Sequence, residues 1–149
     1  MIRERVGADL DECVRALRAV HETDGYPVNW PQDPGRWLDP PGMLAAWVFA
    51  DPVVGGHVVV TSPGEVGRLF VAPSHRGQGI GRLLLTRVRE WAAAQRIGLI
   101  LEVVDDDRQA AIKLYESTGW VHTGTHAADW AGPGGEAISV RHYSLPSPA

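Results

Sequence analysis

Apolar positions along this chain fall into two periods, and each change of period marks a new element. Leu10, Cys13, Val14, Leu17 and Val20 stand at helical spacing behind the capping-box-like start Asp9-Leu-Asp-Glu12, so the N-terminal residues should lead into a charged helix ending near His21. Leu44 to Ala50 and Val53 to Thr61 are apolar runs joined by Asp51-Pro52, the pattern of a hairpin, and Glu65 to Val71 reads as a third strand. Ile80, Leu84, Val88 and Trp91 form one stripe of a helix that ends near Arg96-Ile-Gly98. Leu99 to Val104 is a buried strand and Arg108 to Ser117 a shorter helix. Gly119 to Gly124 and Ala137 to Leu145 are closing strands, with a loop through Asp129 to Glu136 between them. From Glu22 to Gly42 the prolines forbid regular structure, except a turn of helix near Gly35 to Leu38.

The junction of the third strand and the second long helix carries the clearest chemistry. Val71-Ala-Pro-Ser-His-Arg-Gly-Gln-Gly-Ile-Gly-Arg-Leu-Leu84 runs from a strand end through a basic, glycine-rich turn into an amphipathic helix. Gly77, Gly79 and Gly81 let an anion approach the backbone, and the helix beginning at Ile80 offers N–H groups without internal partners. Those amides carry roughly half a positive charge, flanked by Arg76 and Arg82. The turn therefore reads as a pyrophosphate cradle. The dinucleotide fingerprint G-x-G-x-x-G fails in register because Arg82 stands where its last glycine would fall, although Glu102 lies at about the right distance to imitate the ribose-binding acid. A chain of 149 residues is also too short for two mononucleotide-binding halves and a substrate domain, and the triphosphate loop G-x-x-x-x-G-K-[ST] is absent.

The segment from Leu69 to Leu85 resembles the acetyl-CoA-binding motif of the GCN5-related N-acetyltransferases, [Arg/Gln]-x-x-Gly-x-[Gly/Ala] after a strand ending Val-x-Pro. A second block, Leu101-Glu-Val103 followed by Ala111-Ile-Lys-Leu-Tyr115-Glu-Ser-Thr-Gly119-Trp120, is similar to the family's later strand and helix, which usually end Leu-Tyr-x-x-x-Gly-Phe. The resemblance implies one domain over residues 1–149. Its fold would be α/β (α+β), with a mixed, mostly antiparallel sheet, helices on both faces and two splayed strands that take acetyl-CoA between them. It implies transfer of an acetyl group to a primary amine, of a small molecule, by direct attack in a ternary complex. The departure is Arg108, where the family commonly has an Asn that contacts the pantetheine arm or caps the helix; one of Asp105 to Asp107 could cap it instead. That departure keeps open an alternative, a CoA-binding regulatory or partner module without turnover.

The resemblance also assigns roles. The cofactor would lie on Leu69, Phe70, Val71, Arg76, Gly77, Gln78, Gly79, Ile80, Gly81, Arg82, Arg108 and Tyr115, with backbone amides of Leu69 to Val71 meeting the oxyanion at a bulge that the sequence itself does not display. Tyr115 matches the family's acid for the departing thiolate, the other reading being a core aromatic. An alkylamine with a pKa near 10.4 is about 0.04% neutral at pH 7, so a base matters. Glu102 matches a catalytic glutamate of some members, Glu65 is the runner-up, and both also read as ordinary strand carboxylates; Asp24 and His21 are weaker candidates. Tyr26, Trp30, Trp37 and Trp130 could wall the acceptor pocket or pack the proline-rich loop.

Composition narrows the field further. A net charge of −4 and a pI near 5.8 lack the footprint of a nucleic-acid binder. No apolar run is long enough to cross a bilayer, and the charged N-terminus lacks a secretory core, so the reading is a cytoplasmic protein with no membrane or nucleic-acid partner. The one cysteine, Cys13, excludes an internal disulfide and reads as core. His57, His122, His126 and His142 lack metal-ligand spacing and His75 reads as exposed, so no metal is expected. Exposed last strands in the resembled family often pair into a homodimer.

Overall fold

The computed structural model describes residues 1–106 and 110–147. In chain order its main elements are β1 (Ile2–Glu4), α1 (Leu10–Asp24), α2 (Pro34–Trp37), β2 (Met43–Ala50), β3 (Val54–Thr61), β4 (Glu65–Val71), α3 (Ile80–Gln95), β5 (Leu99–Val104), α4 (Ala110–Ser117), β6 (Val121–Ala131) and β7 (Ala137–Leu145). The strands form one sheet in the order β1-β2-β3-β4-β5-β7-β6. Every neighbouring pair is antiparallel except β4 and β5.

Each face of the sheet has its own core. Trp47, Val58 and Val60 pack with Ile80, Leu84 and Val88 of α3. On the other face Val48, Val54 and Phe70 pack with Cys13, Leu17 and Val20 of α1 and with Leu38. Trp47 and Val48 are sequence neighbours in different cores, as the alternation of a strand requires. β3 is buried along nearly its whole length, which explains its unbroken apolar run. Gly55 and Gly56 in β3 let the next layer sit directly on the strand. A Cβ at Gly55 would collide with the ring of His75, and one at Gly56 would fall 2.7 Å from Ile80 Cγ2. His75 is therefore half-buried against β3, not simply exposed.

Three expectations are corrected. The N-terminal residues do lead into α1, but through a strand the sequence did not announce, β1; it pairs with β2 through Ile2 and Phe49, and its Arg-Glu sequence is the charged signature of an edge strand. Asp9 does not cap α1 through its side chain. Its carboxylate accepts from the Val6 N–H at 2.8 Å and from both terminal nitrogens of Arg3 at 2.8 Å, and α1 runs on past His21 to Asp24, closed by Gly25 in the left-handed region. The strand expected at Gly119 to Gly124 is β6, which continues to Ala131 through much of the predicted loop. Most of β6 is exposed, so no apolar alternation announces it; its pairing with β7 does. The described helices include none long and apolar enough to cross a membrane.

The bidentate Arg3 contact holds the Asp9 carboxyl down to about 2, against partial opposition from its burial. A carboxyl depressed in the folded state contributes stability above its unfolded pKa near 3.9 and loses it as pH falls toward the folded value. The melting temperature is therefore expected to fall as pH drops from about 4 to about 2, where this contribution is lost. Asp9→Asn should lower the neutral-pH melting temperature and remove that contribution from the acid limb.

Candidate functional site

β4 and β5 share a single register pair, Glu65 with Ile100, fixed by the Ile100 N–H donating to Gly64 O at 3.0 Å. Beyond it the strands part, leaving a gap between the rest of β4 and the rest of β5. A bulge interrupts the other edge of β4. His57 pairs with Phe70 and Val59 with Gly67, so two β4 residues, Arg68 and Leu69, stand opposite the single residue Val58. Arg68 adopts a left-handed backbone at φ 54°, a conformation that costs a non-glycine residue about 1 kcal/mol or more. The bulge at Leu69 to Val71 that the sequence does not display is thus present at Arg68–Leu69, and Leu99 to Val104 splays away as the resemblance implied.

The glycine-rich turn stands at the mouth of this gap. Gly77 and Gly79 are left-handed at φ 78° and 73°, and a Cβ on either would meet no protein atom within 4 Å. The space over the turn is open to an anion. The first intrahelical bond of α3 is from the Leu83 N–H to Gly79 O at 3.0 Å, so the N–H groups ahead of it, at Ile80, Gly81 and Arg82, lack helical acceptors. Gly81 differs from the other two: a Cβ there would lie 3.2 Å from Leu114 Cδ2, so this glycine lets α3 approach α4. Arg76 does not point freely outward. Its guanidinium donates to Val71 O at 3.1 and 3.3 Å and pairs with Asp24, which fastens the turn to the end of α1. Arg82 reaches Ser117 Oγ at 3.5 Å. Gln78 is exposed within the turn. Arg108, like Asp107, lies outside the described residues.

Tyr115 is 6% exposed, held between the rings of Trp120 and Tyr143 at 5.9 Å each. No residue among those described hydrogen-bonds its hydroxyl, whereas Tyr143 donates its own to Glu116 at 2.7 Å. Burial, reinforced by the Tyr26 phenol, pushes the Tyr115 hydroxyl far above its ordinary value near 10. It stays protonated at any working pH. Trp120 is buried, and its indole N–H has no partner among the described residues.

Glu65 and Glu102 line one cleft of about 230 Å³ with Ile100, Thr123 and His142. Glu102 Oε2 lies 3.9 Å from His142 Nε2, and His142 meets the His126 ring edge-on at 5.0 Å. His142 has no local signal in the sequence because it enters only through the β5–β7 register, which places it opposite Glu102. His21 Nδ1 bonds Pro27 O at 2.8 Å and its ring tilts against Trp30, so it braces the loop. Tyr26, Trp30 and Trp37 border the α1-side core. Trp37 presents its face to the Arg68 guanidinium at 3.9 Å. Asn29 Nδ2 donates to Ala131 O at 2.8 Å and ties the proline-rich loop to the end of β6. Cys13 is fully buried and its thiol is pushed up to about 12 by that burial, which makes it inert.

A model of the acetyltransferase (GNAT) family matches residues 10–120. The chain belongs to that family. Among GNAT relatives, the mycothiol acetyltransferase of Geodermatophilus obscurus is 36% identical over 104 residues, covering 62% of this chain and 32% of that protein. The streptothricin acetyltransferase of Streptomyces lavendulae is 32% identical over 78 residues, covering 52% of this chain and 41% of that protein. The matched part thus spans about a third of the mycothiol enzymes' length. The ribosomal-protein-S18-alanine N-acetyltransferase of Escherichia coli has the same fold, at TM-score 0.79 and 20% identity over 100% of this chain and 95% of that one. So does yncA of Salmonella typhimurium, solved with its cofactor acetyl-CoA, at TM-score 0.78 and 18% identity over 100% and 94% of the two chains.

Proposed function

We propose that this chain is one GNAT domain that moves the acetyl group of acetyl-CoA onto a primary amine of a small molecule, with donor and acceptor bound together. The observation that carries the reading is the β4/β5 gap, with an open left-handed glycine turn at its mouth and α4, which carries buried Tyr115, packed through Leu114 on Gly81 of that turn. Bound acetyl-CoA supplies an activated thioester; the chain supplies everything else. Backbone N–H groups from Gly77 to Arg82 hold the pyrophosphate. The β4 amides from Leu69 to Val71 face the place where negative charge collects during attack. Glu102, with Glu65 in the same cleft, takes the proton from the incoming ammonium directly or through water, and Tyr115 gives one to the leaving sulfur. The dry surroundings that raise the phenol's pKa raise that of an adjacent thiolate too, so the transfer is not opposed.

A small acceptor is supported by the Asn29 bridge to Ala131, which joins the proline-rich loop to β6, and by relatives named for mycothiol and streptothricin. Release of free thiol should be followed with acetyl-CoA and a panel of small amines beside an alanine-terminated peptide. Release with a small amine is the expected result. Release with the peptide alone would move the acceptor class to protein termini, and acetyl-CoA binding without release on any amine would favour the module without turnover.

Glu102→Gln keeps the size of the side chain and removes its basicity. It is expected to flatten the acidic limb of the pH profile of kcat/KM while changing the KM for acetyl-CoA less than about threefold. Retention of that limb in Glu102→Gln, with its loss in Glu65→Gln, would pass the role to Glu65. If neither variant matters, the amine arrives neutral and positioning alone does the work.

A further inference from the structure

His57 is fully buried in β3, stacked on Phe70 with ring centroids 5.1 Å apart and planes 20° from parallel. Both ring nitrogens are engaged. Nδ1 lies 2.8 Å from the carbonyl oxygen of Arg68, the left-handed residue of the bulge. Nε2 lies 2.9 Å from Arg5 NH1. A guanidinium only donates, so Nε2 must accept and Nδ1 must carry the proton that goes to Arg68 O. The tautomer is thereby fixed, and burial pushes the imidazole down to about 3, so it remains neutral.

The consequence follows from the geometry of one peptide unit. The carbonyl of Arg68 and the N–H of Leu69 share a trans peptide plane and point in opposite directions. His57 holds that carbonyl toward its own ring, so the Leu69 N–H on the far side of the same peptide points away from the His57 ring. The same network reaches the proline-rich loop. Arg5 also donates to Leu38 O and pairs with Asp39 at 2.8 Å, while the Arg68 side chain bonds Trp37 O at 3.1 Å and lies over the Trp37 ring.

We infer that His57 is a positioning residue: its Nδ1–H holds the β4 bulge so that the Leu69 N–H faces the acetyl site, and Arg5 and Arg68 lock that bulge to the Trp37–Asp39 wall. The inference rests on the acetyltransferase reading for its catalytic meaning, but its geometry is tested without turnover. Imidazole nitrogen NMR at pH 7 on the unaltered protein should show His57 protonated at Nδ1 and bare at Nε2. The opposite tautomer would overturn the network. In steady-state kinetics His57→Phe keeps the stacked ring and loses both hydrogen bonds, and should cost at least about tenfold in kcat with the KM for acetyl-CoA changed less than about threefold. His57→Asn places an amide donor near the Nδ1 position and should recover most of that loss, whereas His57→Gln, whose polar end lies near Nε2, should not. Equal losses in all three variants that track their melting temperatures, or no loss in any, would return His57 to a purely structural role. Absence of turnover in the parent protein would count against the acetyltransferase reading and leave the NMR result standing.

Discussion

Gly79→Asp is expected to weaken coenzyme A binding by at least about 100-fold in calorimetry. Gly79 is left-handed and open, with no protein atom within 4 Å of the place a Cβ would take, so the variant is free to fold. The left-handed backbone costs an aspartate about 1 kcal/mol. The rest of the effect comes from placing a carboxylate where a pyrophosphate must sit, against amides whose charge-assisted bonds are worth roughly 1.5–3 kcal/mol each. Gly79→Ala separates these contributions: it carries the strain without the charge and should lose no more than about tenfold. Gly81→Asp is a poorer probe, because its side chain would press on Leu114 and disturb the α3–α4 contact before any ligand arrived. Binding by Gly79→Asp as tight as that of the parent would remove the pyrophosphate from this turn.

Tyr115→Phe is expected to lower kcat about 100-fold and leave coenzyme A affinity nearly unchanged, the lower end of what a general acid contributes. The substitution is a clean one here. The Tyr115 hydroxyl bonds no described residue, and its ring packs between Trp120 and Tyr143, so phenylalanine keeps every packing contact. The melting temperature should therefore stay level or rise slightly. An unchanged kcat, with chemistry shown to limit the rate, would make Tyr115 a core aromatic and nothing more.

Much of this site is legible as local chemistry. The run from Val71 to Leu84 shows a strand end, a left-handed glycine turn and a helix N-terminus, because those features depend on neighbours within a few residues. Leu101-Glu-Val103 and Leu114-Tyr115 show a strand and a helix by the same logic, and their resemblance to the family's blocks is what singles out Glu102 and Tyr115. The glycines look like one class in the sequence, yet they divide: Gly77 and Gly79 open the turn to solvent, while Gly81 serves helix packing. Arg76 has the local look of a phosphate contact, but its guanidinium is already committed to Val71 O and Asp24. Asp24 is some fifty residues away in sequence, and no local rule connects the two.

The sequence by itself determined the period of each main element, the glycine turn, the apolar core at Cys13 and the family, since each depends on side-chain type at short spacing. It did not determine β1, whose charges hide an edge strand, or the length of β6, whose exposed residues carry no alternation. Only the tertiary structure decided the bulge at Arg68–Leu69, the meeting of Glu65 and Glu102 with His142 in one cleft, and the hydrogen bonds of His57. These arise from register between strands distant in the chain. A one-residue offset in pairing redirects a carbonyl or turns a side chain to the other face, and a single sequence holds no record of that offset.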